Sequence, residues 1–552
     1  MQVFWRFNSF TLIMIVADGP LYDSTAYTKC RENPEEALYN GGILKGQSAE
    51  LVPIAGFNGS TTYSPAFILQ NLSSNANFYS FSIWIKIKGS DSALVTARLV
   101  TGNTTTRTCI GTVIAKPSCW SFLKGGFVFS SSSETNLSII YFQSSDKRVS
   151  AIEMASSSLQ PFTKQEWTIN QNYKINTVRK RAVTIHVSDQ MGQGIQGAEI
   201  TVRQVAKDFP FGSAISKTIL GNSYYQKWFV DRFNAAVFEN ELKWYATEPK
   251  RGQLNYTIAD QMLEFVRSNQ IIVRGHNIFW EDPKYTPDWV RNLTGQELQA
   301  AVDSRIKSLM SKYKDQFIHW DVSNEMLHFR FYEERLGPNA TLHFFDVAHR
   351  SDPLATLFMN EFNVVETCAD EDSNVDAYVE SFRELEQGGV FMDGIGLEGH
   401  FTVPNPPLIR AIIDKLATLG LPIWLTEVDI SSTLDQTTQA LYLKEVLMEG
   451  FSHPAVDGIM LWTAMNGQGR CYQMCLTDSK FNNLATGDAV DELLKEWETA
   501  SLHGQYSDEH GSYSFFGFLG EYQVEVKYKN KTRLSTFSLD RGDETRHFTI
   551  QL

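Results

Sequence analysis

From residue 209 onward one alternation recurs eight times: a short apolar run of strand length, then a stretch whose apolar residues fall at helical spacing. The runs are FPFGSAI, AAVFEN, IIVRGHNIFW, FIHWDVSNE, ATLFMNEF, GIGLEGHF, PIWLTEVDI and GIMLWTAM. Between them, Ile258, Met262, Leu263 and Val266 share one helical face, as do Val375, Tyr378, Val379, Phe382 and Leu385. The segment LIRAIIDKLATLG ends on Gly420 with Pro422 just beyond, a helix stop followed by a strand. Eight such units between residues 209 and 497 match the order and length of a (β/α)8 TIM barrel. An open doubly wound sheet is the rival, but no Gly-rich phosphate loop follows the first strand.

The flanking sequence has a different texture. Residues 30–170 are rich in Ser, Thr, Asn and aromatics, with alternating runs such as FYSFSIWIKIKG, ALVTARLV and LSIIYFQS, and predict an all-β, jelly-roll-like sandwich. Residues 180–204 carry two strand signals, AVTIHV and GAEITV, around the turn-rich DQMGQGIQG and predict a bridging β-hairpin. The barrel is expected over 205–500 and a small β extension over 501–552.

Composition narrows the partners. A formal charge of -14 repels nucleic acid and anionic membrane surfaces at long range, so a neutral ligand is expected, with no nucleic-acid or membrane partner; the chain is expected to be a monomer. Arg6 followed by the apolar stretch FTLIMIVA to Ala17 reads as a signal peptide over residues 1–17, too short to span a bilayer. A secreted, extracellular or cell-wall protein is therefore expected. Eight N-x-S/T sequons, at Asn58, Asn71, Asn103, Asn136, Asn255, Asn292, Asn339 and Asn530, would then be glycan acceptors. The six cysteines lack the C-x-x-C or His spacing of a zinc site, so disulfides are expected, with no metal and no cofactor. Sequence does not settle their connectivity; short closures favour Cys471–Cys475 and Cys109–Cys119.

In a TIM barrel the C-terminal ends of the strands share one cleft. Those ends carry Glu239, Asn240 and Lys243, then His276 and Trp280, then Asn324 and Glu325, then Asn360 and Asn363. Glu398 and His400 follow, then Glu427 and Asp429, and Trp462 closes the set. A single Glu at such a position is as readily a structural ion pair, but the whole set suits a polyhydroxylated ligand. Glycoside hydrolysis needs two carboxyl groups, one protonated and one ionised, and strands four and seven set Glu325 and Glu427 across the barrel from each other. Asn324 is placed to bind a sugar hydroxyl, while His400 and Asp429 are placed to keep Glu427 ionised and oriented.

The blocks ENELKW, TEPKRGQLNYTIAD, RGHNIFW, WDVSNE, GIGLEGHF and TEVDI, in that order, resemble the family-10 glycoside hydrolases, the endo-1,4-β-xylanases, and their plant members in particular. The resemblance implies Glu325 as acid/base and Glu427 as nucleophile. It implies substrate contacts from Asn240, Lys243, His276, Trp280, Asn324, Glu398, His400 and Trp462, with Glu239 and Asp429 behind them. It also implies retention through a covalent glycosyl-enzyme, with carboxyls about 5 to 5.5 Å apart. Rival outcomes are xylan transglycosylation, a catalytically weak xylan-binding protein, and a cellulase or mannanase on the same fold.

Three positions depart from the family pattern. Glu281 stands where His is common, and Glu398 replaces the usual Gln, adding a third carboxyl beside the nucleophile. The loop after Trp462 lacks a second Trp, for which Tyr472 is the available substitute. In the N-terminal region, YNGGILKG, FYSFSIWIKI, CWSFLKGGF and SLQPFTKQEW resemble a family-22 carbohydrate-binding module. That resemblance places Tyr141 and Gln143 at glycan-binding positions; Trp84 and Trp120 are read as core aromatics.

Overall fold

A computed structural model describes residues 19–55, 61–70, 72, 76–101, 106–129 and 137–552. The expected signal peptide and the sequons at Asn58, Asn71, Asn103 and Asn136 lie outside the described residues.

The eight apolar runs become the eight strands of a closed parallel barrel: Phe211–Ile215, Ala235–Phe238, Ile272–Gly275, His319–Asn324, Thr356–Glu361, Gly394–Phe401, Ile423–Ile430 and Val456–Leu461. Closure runs through Arg274↔His319 and Gly275↔Trp320, while Phe279–Trp280 adds a short second piece of strand three. Strand seven is buried along its whole length because helices cover its outer face and side chains fill the lumen. The lumen holds Ala214, Ala235, Val237, Phe358, Trp424 and Met460. The helix stop at Gly420 behaves as read: the helix Pro406–Ala417 ends three residues earlier, and Gly420 takes φ 74°.

The N-terminal region forms two facing antiparallel sheets. One has the strands Glu50–Ala55, Thr61–Gln70, Leu137–Gln143, Ala93–Thr101 and Thr108–Ala115; the other has Ser121–Val128, Phe78–Lys88 and Ala151–Phe162. Phe67, Phe81, Ile83, Ile140 and Phe142 fill the space between them. Trp84 is buried beneath Tyr27 and Phe122, and Trp120 is half-buried below the Lys86 ammonium.

This sandwich is not tethered by a free linker. Its three-stranded sheet lies on the barrel helix Pro406–Ala417, which is therefore covered on both sides and almost wholly buried. Burying charge there requires partners. The Lys124 ammonium donates to Asp414 (2.8 Å), which also accepts from the Tyr22 hydroxyl (2.8 Å) and faces His453 Nε2 (3.1 Å). Glu449 accepts from Arg410 (2.8 Å), Trp167 (2.5 Å) and Gln171 (2.5 Å). Trp167 and Gln171 belong to the connecting helix Lys164–Val178, which begins with a Thr163–Glu166 capping box.

Three sequence expectations are corrected. The strands Lys180–Ser188 and Glu199–Lys207 do not pair as a hairpin. Each joins strands from residues 502–551, giving a three-stranded and a four-stranded sheet around Val183, Ile200, Tyr522 and Val524. Neither segment alone has enough apolar surface for a core, so the chain before the barrel and the chain after it make one unit. The disulfides are Cys30–Cys119, Cys109–Cys368 and Cys471–Cys475; Cys109 does not pair with Cys119 because it faces the barrel rather than its own loop. Finally, Tyr141 is completely buried, so its ring is not a platform for a sugar, while Gln143 is half-buried. Tyr141 pairs across the sheet with Arg98, and Arg98 pairs with Cys109, which the disulfide ties to the barrel.

Candidate active site

The C-terminal strand ends bring most of the expected residues into one pit, organised around the strand-five residue Asn360. Its backbone carbonyl accepts from Glu325 N–H (2.9 Å), fixing the end of strand four. Its side-chain amide nitrogen lies 2.9 Å from Asn324 Oδ1 and 3.0 Å from both Glu398 Oε1 and Glu427 Oε1. Its own oxygen accepts from Thr426 (2.5 Å). Asn360 thus ties strands four, six and seven together; its place at a strand end was visible in the sequence, but not its partners.

Glu427 is buried, and burial alone would raise its pKa. The charges of His276, His400 and Lys243 outweigh that and hold its carboxyl below the usual range. His276 Nδ1 is 3.8 Å from Glu427 and 2.9 Å from Asp321, a lumen carboxylate that also pairs with Arg274 (2.7 Å). His400 Nε2 lies 3.7 Å from Glu427 and 3.3 Å from Glu398, while its Nδ1 meets Asp429 at 3.0 Å. Despite burial, Asp429 pushes His400 well above the usual histidine range, so the ring is a cation pressed against both glutamates. Asp321 lacked any sequence signal beyond its inward-facing position.

Glu325 goes the other way. Burial pushes it up to about 8, with the Trp280 indole opposing and the Glu361 and Glu427 carboxyls adding to the rise. Burial, then Glu427 and Glu325, drives Glu398 well above the usual range, so the third carboxyl holds its proton. Burial raises Glu239 to about 7 against the pull of Lys243. Glu239 accepts from Asn240 (3.1 Å), whose amide oxygen accepts from Tyr245 (2.7 Å). Lys243 Nζ sits 4.3 Å from the Trp280 ring centre and 5.6 Å from that of Trp462, and Trp462 meets His276 edge-on at 5.2 Å. Trp280 stacks on Tyr285 at 3.8 Å, and Tyr472, 61% exposed, stands edge-on to His400 at the rim.

Two residues lie elsewhere. Glu281 is completely buried and accepts from Ser323 (2.8 Å), so it braces strand four rather than the cleft. Asn363 bonds Asp370 in the following loop. Glu398, His400 and Glu427 present ligand atoms within 4.8 Å of one another, the spacing of a cation site. In that cluster Asp429 pushes His400 well above the usual histidine range, and Lys243 acts on the same Glu427 carboxyl.

A lumen-facing pair of carboxyls, one held protonated and one ionised at strand ends four and seven, is the arrangement expected of a glycosidase, and comparison with known proteins agrees. The model of glycosyl hydrolase family 10 matches residues 201–483. The chain belongs to this family. Endo-1,4-beta-xylanase 5 of Arabidopsis thaliana is 38% identical over 84% of this chain and 82% of its own length. Endo-1,4-beta-xylanase 4 of the same plant is 33% identical over 97% and 94%. Among solved structures, xylanase 10B of Thermotoga petrophila in complex with xylobiose aligns with 52% of this chain and 94% of its own, at 26% identity and a TM-score of 0.47. As a family-10 member the chain is a glycoside hydrolase, and its barrel accounts for almost the whole family match.

Proposed function

We propose that this glycoside hydrolase cleaves the β-1,4-linked backbone of xylan internally and with retention of configuration. One observation carries the reading: burial holds a proton on Glu325 up to about pH 8, while His276, His400 and Lys243 keep Glu427 ionised, and both glutamates are anchored on Asn360. In the first step Glu427 attacks the anomeric carbon as Glu325 gives its proton to the departing glycosidic oxygen. In the second, Glu325, now a base, takes a proton from water as that water displaces Glu427 from the same carbon. Asn324, whose side-chain oxygen is already held by Asn360, is turned to bind a sugar hydroxyl, and Trp280, Trp462 and Lys243 line the walls that position the chain.

The reading extends to a secreted wall enzyme. Three disulfides suit an oxidising compartment, and the described sequons at Asn255, Asn292, Asn339 and Asn530 are all exposed. The test is Glu427→Ala, which is expected to fold and bind xylan while releasing reducing ends about four orders of magnitude more slowly. Proton NMR of early products from the parent should give the β-anomer; an α-product, or an active Glu427→Ala enzyme, overturns the assignment.

A further inference from the structure

Glu325 sits in the left-handed region, at φ 61°, a conformation that strains a non-glycine residue and needs support from its surroundings. The support comes from strand five. Beside Asn360, the buried Glu361 carboxylate accepts from Leu327 N–H (2.7 Å), His328 Nδ1 (2.7 Å) and Phe362 N–H (3.1 Å). Two of those donors lie in the turn that directly follows Glu325. Phe329 N–H closes the turn onto the Glu325 carbonyl at 3.0 Å.

Burial pushes the Glu361 carboxyl up, and His328 is the cation that opposes the rise. Its other nitrogen, Nε2, reaches Asp370 at 3.0 Å, and its ring stacks on Phe362 at 3.6 Å, so it is gripped on three sides. With both ring nitrogens facing carboxylates the ring is an imidazolium; burial alone would lower its pKa, but Glu361 and Asp370 push it up to about 9. Asp370 is itself fixed by Asn363 (2.8 Å), Asp372 N–H (3.1 Å) and Ser373 N–H (3.2 Å). Two residues before it, Cys368 fastens the loop to the N-terminal sandwich.

We propose that His328, clamped between Glu361 and Asp370, is a positioning residue that holds Glu325 in line with the departing glycosidic oxygen. The proposal rests on the acid/base reading of Glu325. Without His328, Glu361 is left buried and unneutralised, and its grip on the turn loosens. The proton then arrives off-line, which harms only substrates whose leaving group needs it.

The experiment compares kcat/KM on xylan with kcat/KM on 2,4-dinitrophenyl xylobioside, whose phenolate leaves unaided. His328→Gln is expected to lose ~10- to 100-fold on xylan and under ~3-fold on the activated glycoside. Asp370→Asn, at a partly exposed site that should tolerate the change, should lose less in the same pattern. Equal losses on both substrates, or no loss on xylan from either variant, overturn the proposal. If His328→Gln does not fold, Asp370→Asn decides by the same criterion. Glu325→Ala is run alongside: a loss confined to xylan upholds the acid/base reading, and the His328 and Asp370 variants then decide the positioning role. Equal losses from Glu325→Ala overturn that reading and the proposal with it.

Discussion

Replacing Glu398 by Gln tests where the site keeps its protons. Glu398 is buried, and its carboxyl lies within 4.8 Å of that of Glu427. At that separation and an effective dielectric constant of about 20, two negative charges repel by about 3.5 kcal/mol, or more than a hundredfold in an ionisation constant. The two therefore do not share full ionisation near neutral pH. His276, His400 and Lys243 favour the charge on Glu427, so the proton stays on Glu398, which then resembles the amide usual in the family. Glu398→Gln should accordingly keep kcat/KM within ~3-fold between pH 5 and 7, with an acidic limb that barely moves. The sign is unambiguous: a charged Glu398 would raise the pKa of Glu427, and removing it would carry the acidic limb downward. A fall of that limb by more than one pH unit, in a full pH–rate profile on xylo-oligosaccharides, would mean that Glu398 is ionised beside Glu427.

Two further expectations concern the acid/base and the sandwich. On the proposed acid/base role Glu325 gives up a proton in the first step, and burial pushes its carboxyl up to about 8, so kcat/KM on xylan should fall about tenfold per pH unit above that point. An alkaline limb centred below pH 7 would contradict the burial argument. Lys124→Met leaves Asp414 buried without its strongest partner, and should destabilise the chain by about 3–5 kcal/mol in denaturant unfolding; a change under ~1 kcal/mol would show that the interface does not hold the two units together.

The catalytic half of the molecule was legible because barrel geometry translates sequence position into spatial position. A residue at the end of an apolar strand run lands in the cleft, so Glu325, Glu427, Lys243, His276 and His400 could be named without knowing any contact. The local Cys471–Cys475 closure was legible for the same kind of reason, since four residues of separation leave few alternatives.

Periodicity reports which way a side chain faces but not what it meets. Asn360 was seen at a strand end; that its amide bridges Asn324, Glu398 and Glu427 depends on how strands four to seven are staggered. The two segments read as a hairpin and a β extension became one unit because each strand pairs with a segment about 300 residues away, beyond any local signal. Tyr141 had the residue type of a binding aromatic, yet it is buried in a strand flanked on both sides, opposite Ala66 and Arg98. The alternation of apolar runs along one chain was enough to place the barrel and to set Glu325 and Glu427 at its strand ends, because both follow from local periodicity. Which carboxyl keeps its proton, which cysteines pair and what holds Glu325 in place were decided only by tertiary structure, because burial and charge neighbours arise between segments distant in sequence.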